Sequence, residues 1–439
     1  MTSHMDHYGG GRLPWTCVGA SGLRGRFVRS DSRSTEEYEV LDASGGYASA
    51  CLGADHPEIR SALLEGLAAG YVTDEMGSAV RTRLLDWLFG PGGLWESRFP
   101  ASNYHVCGRN SGSEGMELAL RLVLESRFEY GRLRTRRGHE DRRLLLAFEG
   151  AWHGWTEGAR QLMNRRQYRL GLPKWAADDP AGVELKTLPF GERDVLDAFL
   201  DSDGERVAGV FVEPIQGDAG ILVPPPGYLR HLSRRCQELG ALLVADEVLT
   251  FAKTGHYFAM SDQKGPIPTD ITVIGKNLGM GAISTSLVIS RRELGVRPSG
   301  AVATSDLRPL SCVVMQRGLE YIQSEDLLVR SAKLGERLRS GLQSLACAYP
   351  DIFKDVRGMG FLQGLELGDE ALLDVWGLRD ALIRSGVYVE VMGGAGRRTG
   401  LRAIPPAMRI APPLIASLED IEEIESRLQR GCASWLGTR

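Results

Sequence analysis

Two short apolar runs of this chain each stop at an ionisable side chain, and the two side chains lie thirty positions apart. Ala241-Leu242-Leu243-Val244-Ala245 runs into Asp246, and Thr272-Val273-Ile274-Gly275 runs into Lys276. An apolar run of this length, bounded by turn residues, reads as a buried strand. Similar runs occupy Leu144 to Phe148, Val207 to Val212 and Thr285 to Ile289. Helical patterns separate them. In Ser113 to Phe128, Met116, Leu120, Val123 and Leu124 recur at helical spacing, and Tyr228 to Leu239 is a second such stretch. Strands alternating with helices predict an α/β fold built on a mostly parallel sheet. Such a sheet would bring Asp246 and Lys276 out at the same edge.

The last third of the chain reads differently. Leu310 to Ala346 predicts long helices, Val356 to Leu367 a strand pair around Gly358 and Gly360, and Ser417 the start of a final helix with Ile421, Ile424 and Leu428 on one face. The expected organisation is a large domain over residues 76–310 and a smaller α+β domain over 311–439, joined by the N-terminal segment 1–75. A length of 439 residues accommodates both.

With 25% charged residues and a net charge of −4, nothing marks the chain as a nucleic-acid binder. Its richest basic stretch, Arg132 to Arg143, reads as a solvated helix end or loop. The seven cysteines are odd in number and form no CxxC pair, which argues against a disulfide framework or metal ribbon and for a reducing cytoplasm. The N-terminal residues show no signal-peptide core, and no apolar run has the length of a membrane span.

The chemistry-bearing residues cluster at predicted strand ends. A carboxylate ending an apolar strand, as Asp246 does, needs a partner or it neutralises. A pyridinium N–H is one such partner; an arginine or a helix N-terminus is another. A desolvated lysine loses basicity and becomes nucleophilic, though Lys276 read alone could equally be a surface lysine. Together a buried acid and a buried amine suggest pyridoxal phosphate chemistry, with the lysine holding the cofactor as a Schiff base. Asn110-Ser111-Gly112-Ser113-Glu114-Gly115 leads into a helix, where free N–H groups suit a phosphate; a plain serine cap is the alternative. In Phe148-Glu149-Gly150-Ala151-Trp152-His153-Gly154, Trp152 could stack on a flat heterocycle or belong to the core. Glu213-Pro214-Ile215-Gln216-Gly217-Asp218 follows a strand, at the crevice where α/β sheets bind ligands, or is a turn. Arg409, inside the apolar run Ala407 to Leu414, calls for a carboxylate, from substrate or from the protein itself.

Taken in order, these motifs resemble the class III aminotransferases of fold type I, the branch of ornithine and GABA aminotransferases and dialkylglycine decarboxylase. The likeness runs from about Val40 to Glu425. It implies pyridoxal 5′-phosphate as cofactor, Lys276 as Schiff-base lysine and proton shuttle, and Asp246 as partner of the ring nitrogen. It implies Ser111, Gly112 and Ser113 as the phosphate cup. Trp152 falls at the ring-stacking position, with His153 and Val248 also at the cofactor. Glu213 and Gln216 match the Glu-Pro-x-Gln-Gly motif, whose glutamine approaches the ring hydroxyl. Thr304 falls where a threonine reaches the partner subunit's phosphate, so a homodimer with an interfacial site is implied. Tyr47, Trp152, Asp218 and Arg409 fall at substrate-facing positions.

The chain departs from the pattern in four places. Arg308-Pro309-Leu310 stands for Asn-Pro-Leu, and Ala252-Lys253-Thr254-Gly255 for Gly-Arg-Thr-Gly. Asp218 is shorter than the glutamate that gates the substrate arginine in the ornithine branch. The stretch Gly393 to Pro406, with Arg397, Arg398 and Arg402, is longer and more basic than usual. Transamination between an amino donor and a keto or aldehyde acceptor is the expected outcome. Decarboxylating transamination, epimerisation or an aminomutase reaction would use the same scaffold, and a non-catalytic binding protein would lack the lysine and aspartate.

Overall fold

The computed structural model describes residues 13–31, 36–70, 76–129, 134–164, 182–294, 303–304, 306–394 and 406–438. The basic residues Arg397, Arg398 and Arg402 lie outside that set.

Seven strands form the central sheet, in the order Tyr104–Arg109, Ser286–Arg291, Ile271–Ile274, Leu242–Glu247, Val207–Val212, Leu144–Phe148 and Glu184–Leu188. Ser286–Arg291 runs antiparallel to both its neighbours; every other pairing is parallel. The expected α/β sheet is therefore present, with one reversed strand. Val207–Val212, Leu144–Phe148 and Ile271–Ile274 are buried along their whole length. A strand covered on both faces reads as a continuous apolar run, which is why these three are legible in the sequence.

Successive residues of each strand serve opposite layers. Leu144, Leu146 and Phe148 pack with Tyr228 and Leu232 of the Tyr228–Leu239 helix. Leu145, Phe211, Val244 and Val273 face the other way, against Met116, Ala119 and Val123 of the Gly112–Ser126 helix. The two outer strands, Tyr104–Arg109 and Glu184–Leu188, carry polar residues on an exposed or half-covered side, so no apolar run announces them.

Two smaller sheets flank this body. Trp15–Ser21, Arg24–Arg29 and Tyr38–Asp42 form a meander completed by the late strand Val387–Tyr388, parallel to Tyr38–Asp42. Phe353–Met359, Leu362–Leu367, Ala407–Ile410 and Glu390–Met392 form an antiparallel sheet. The helices Pro309–Ser324, Leu327–Ala348 and Leu418–Gly437 follow the predicted pattern. Ser417 and Asp420 cap the last one reciprocally, and Ile421, Ile424 and Leu428 are its buried face. One core joins residues distant in sequence, among them Leu41, Leu84, Phe251, Leu319, Leu365 and Ile424.

Among the described residues no helix is long and apolar enough to cross a membrane, and no three His, Cys, Asp or Glu side chains converge as a metal site.

Candidate active site

The strands' carboxyl ends gather the predicted residues. Val212 lies beside Ala245, which sets Glu213 next to Asp246. Asp246 in turn lies beside Val273, three residues before Lys276. Parallel pairing thus brings residues thirty apart in sequence to the same end of neighbouring strands.

Asp246 is buried, and both its oxygens are engaged. Oδ2 lies 2.9 Å from His153 Nδ1, and Oδ1 accepts from the Val248 N–H at 3.1 Å. The fixed carboxylate orients the imidazole, and His153 Nε2 is left buried with no partner. Glu213 takes the backbone N–H of Trp152 at 2.9 Å and that of Gly217 at 3.2 Å. Burial pushes its carboxyl up to about 7, and the Asp246 charge adds to the shift, while His153 and the two N–H groups oppose it. Gln216 is fully buried, yet neither its amide oxygen nor its nitrogen has a hydrogen-bond partner. Buried polar groups are nearly always paired, so an orphaned amide three residues after Glu213 marks a place for a polar ligand.

Lys276 opens the turn Lys276–Gly279 with φ +43°, a left-handed conformation rare outside glycine. Burial lowers its amine from 10.5 to about 8. The Arg409 cation pushes the same way, and the carboxylates of Glu390, Asp246 and Glu213 push back. About half the amine is therefore neutral, and nucleophilic, at pH 8.

The Ser111–Ser113 segment starts the Gly112–Ser126 helix. The Ser111 hydroxyl caps it, accepting from Glu114 N–H at 3.3 Å and donating to the Glu114 carboxylate at 3.2 Å. Ser113 Oγ accepts from Trp155 N–H at 3.0 Å. The local cap and the anion-ready helix end are thus the same feature. A side chain at Gly112 would come within 2.5 Å of Val248 Cγ1, so glycine lets the helix start close against the Asp246 strand end. Trp152 is half-buried and meets Trp155 edge-on, with centroids 4.7 Å apart.

Tyr47 lies in a left-handed turn, with φ between +56° and +60° from Gly45 to Ala48. Asp42 holds that turn, accepting from the N–H groups of Ser44, Gly45 and Gly46 at 2.8, 3.1 and 2.9 Å and from the Ser44 hydroxyl at 2.7 Å. At Gly45 a Cβ would sit 2.6 Å from the Ala411 oxygen. Thr304 is exposed. Nearby, the Asp306 carboxylate ties the segment to Gly108 N–H at 2.6 Å.

Arg409 already has a carboxylate. Its Nη2 donates to Glu390 on the neighbouring strand, and both side chains are almost fully buried. Asp218, at the position of the ornithine-branch gate, is half-buried and is not Arg409's ion-pair partner. No motif marks Glu390, although an acid inside Val387 to Met392 carries the same signal as Asp246, a charge within an apolar run. Lys253 stands out in the sequence only as a departure from the family pattern. Its fully buried amine donates to the carbonyls of Ala411 and Pro412 at 3.2 and 3.1 Å, linking the Tyr47 turn to the segment after Arg409.

These groups fit pyridoxal phosphate: a near-neutral amine, a paired carboxylate, an unpartnered amide and a capped helix end. Known proteins agree. The profile of the aminotransferase class-III family matches residues 31–431. A mitochondrial ornithine aminotransferase of Oryza sativa is 30% identical over 72% of this chain, and the chain spans only 62% of that protein's length. In fold, the chain is similar to an ornithine aminotransferase from Toxoplasma gondii, with a TM-score of 0.80 at 22% identity over 97% of this chain and 92% of that one. An omega-transaminase from Pseudomonas jessenii follows with a TM-score of 0.78 at 19% identity, covering 97% and 93% of the two chains. The chain belongs to the class III aminotransferases, and its architecture is that of fold type I.

Proposed function

We propose that this protein is a pyridoxal-phosphate-dependent aminotransferase that moves an amino group between an amino acid or amine donor and a keto acid or aldehyde acceptor. One juxtaposition carries the proposal: the Lys276 amine, lowered to about 8 by burial, lies in the turn after the strand that pairs with Asp246, whose paired carboxylate acts on it. The ornithine aminotransferase of rice, as a relative, favours amino transfer over decarboxylation, epimerisation or an aminomutase outcome.

When bound, pyridoxal phosphate supplies an aldehyde carbon for amines and a ring that accepts electrons. Lys276 would hold that aldehyde and, once displaced by the substrate amine, carry the proton at the substrate carbon. Asp246, held by His153 and the Val248 N–H, would accept the ring N–H and keep the nitrogen charged. Gln216 would turn its free amide to the ring hydroxyl, and Trp152 would cover a ring face. The helix start at Ser111, Gly112 and Ser113 would bind the phosphate. Tyr47, Asp218 and Arg409 would face the substrate.

The assembly proposed is a homodimer in which Thr304 completes the partner's phosphate site. The exposure of Thr304 supports it, as do Leu64 and Leu67, which are 68% and 70% exposed. The division proposed is a large domain over 76–310, with 1–75 and 311–439 forming the smaller one. A cytoplasmic location is proposed on the seven free cysteines.

Purified protein loaded with pyridoxal phosphate should show the visible absorption of the lysine-bound cofactor. An amino donor should bleach it and a keto acid restore it. In Lys276→Ala, turnover should fall by roughly 10²–10⁴-fold, the weight of a positioned general base. Full turnover by that variant would defeat the proposal, as would carbon dioxide release or racemisation without any acceptor.

A further inference from the structure

The strand Tyr104–Arg109 lies at an edge of the central sheet, with a neighbouring strand on one side only. Its outward backbone groups need partners from elsewhere. At Gly108 the partner is a side chain: the Asp306 carboxylate accepts the Gly108 N–H through Oδ1 at 2.6 Å. Arg109 Nη1 stands 3.8 Å from the other oxygen, Oδ2. The approach is close enough that a Cβ at Gly108 would sit 2.8 Å from Asp306 Oδ1 and 2.7 Å from the Leu307 nitrogen. Ser111, the cap of the helix start proposed above as the phosphate cup, follows Gly108 by three residues. The chain between them is held from the other side. Ser284 Oγ donates to the Asn110 carbonyl, and Ser286 Oγ donates to the Ser111 carbonyl at 2.8 Å.

The same aspartate organises Thr304. The Asp306 N–H donates to the Ala303 carbonyl at 2.9 Å, closing a turn that contains Thr304 and leaves it exposed. Arg81 holds the exit of the turn, Nη2 donating to the Asp306 carbonyl at 2.7 Å and Nε to that of Leu307 at 3.4 Å. Leu307 itself is buried, with φ +47°. The exposed threonine therefore stands on a base fixed by a backbone bond, a guanidinium and a carboxylate. A shift of this turn pulls on Gly108, and a shift of Gly108 moves the entry to the helix start.

We infer that Asp306 is a positioning residue that locks the Thr304 turn to its own chain's phosphate cup, so that the two cups of a dimer fill cooperatively. The inference rests on the homodimer reading above and deepens it. A phosphate bound at Ser111–Ser113 fixes the strand end at Gly108. Asp306 passes that constraint to the Thr304 turn, which completes the partner's cup. The partner then meets its phosphate with the threonine already in place, and linkage makes the effect equal in both directions. Asp306 acts through Thr304 and Gly108, and not on the cofactor itself.

The test titrates the apo protein with pyridoxal phosphate and, separately, with pyridoxal, which lacks the phosphate. Visible absorption of the lysine-bound form reports both. Pyridoxal phosphate should bind with a Hill coefficient above unity, and pyridoxal with a coefficient of unity. Asp306→Ala should weaken pyridoxal phosphate about tenfold, the weight of one charge-assisted hydrogen bond, and bring its Hill coefficient to unity. Its pyridoxal affinity should hold. Asp306→Asn keeps an acceptor oxygen and should restore most of the affinity and cooperativity. Gly108→Ala crowds the contact while leaving the carboxylate in place, and should resemble Asp306→Ala. The double variant Thr304→Ala/Asp306→Ala should bind pyridoxal phosphate no more weakly than Asp306→Ala alone, since one contact carries both effects. A merely structural aspartate would weaken both ligands alike, and that result overturns the inference. So do unchanged pyridoxal phosphate binding in Asp306→Ala, additive losses in the double variant, and a Hill coefficient of unity in the unaltered protein. Sedimentation separates the readings: a dimer whose sites fill independently defeats the inference alone, and a monomer defeats the homodimer reading with it. Bleaching of the visible absorption by an amino donor tests the transaminase reading separately.

Discussion

The two ends of the candidate site are built on opposite electrostatic plans. At the Asp246 end, two carboxylates sit at the ends of adjacent parallel strands, and burial, with the Asp246 charge adding to it, pushes Glu213 up to about 7 against the opposing pull of His153. At the Arg409 end, two cations are buried, Arg409 paired with Glu390 and Lys253 held by the carbonyls of Ala411 and Pro412 with the Asp42 carboxylate acting on it. The first end is rigid, since its side chains leave a fully hydrogen-bonded sheet and accept backbone N–H groups. The second rests on a left-handed turn and an ion pair made through one guanidinium nitrogen.

The largest effect expected from breaking this contrast is at the rigid end. Asp246→Asn keeps the shape and removes the charge, and should lower turnover by roughly 10²–10³-fold, as losing one fixed charge-stabilising group does. Its affinity for glutarate, an unreactive dicarboxylate expected at the Arg409 end, should stay within about twofold by isothermal titration calorimetry. A comparable loss of glutarate binding would mean the two ends are not separable.

Gly45→Ala tests the Arg409 end. The new Cβ would meet the Ala411 oxygen and force alanine to φ +58°, so thermal unfolding should report a loss of about 1–3 kcal/mol. Unchanged stability would show that the Tyr47 turn adjusts freely.

The smallest effect is a pH dependence at the junction of the two ends. Lys276 attacks as the neutral amine, and its folded value is about 8, below the ordinary 10.5. The rate of pyridoxal phosphate uptake by the apo protein should therefore rise about tenfold from pH 7 to pH 9 and level off above. Stopped-flow absorbance measures it. Linkage gives the matching sign for stability. The unfolded lysine takes its proton near 10.5 and the folded one only near 8, so this group's contribution falls as pH drops through that window and is constant below it. An uptake rate that climbs steadily to pH 10 would place the amine at its ordinary value.

Legibility followed burial and continuity. Strands covered on both faces, such as Val207–Val212 and Ile271–Ile274, declared themselves as unbroken apolar runs. The edge strand Glu184–Leu188, with its mix of Glu184, Lys186 and Thr187, did not. Asp246 and Lys276 stood out because each ends an apolar run, and the register sets Asp246 beside Val273, three residues before Lys276. Glu390 was hidden because its meaning lies in a partner nineteen residues on, across a strand pairing that no local pattern announces.

The amino-acid sequence by itself determined the alternation of strands and helices, the order of the motifs, and the identity of the groups at the strand ends. Those are local properties: hydrophobic periodicity, turn residues and the cost of a charge beside an apolar run. Only the tertiary structure decided which charges neutralise which. It set Asp246 on His153, crowded Glu213 toward neutrality, left the Gln216 amide without a partner, and gave Arg409 to Glu390 rather than to Asp218. Electrostatic pairing depends on distances of a few ångströms between residues far apart in the chain, and those distances exist only once the sheets have packed.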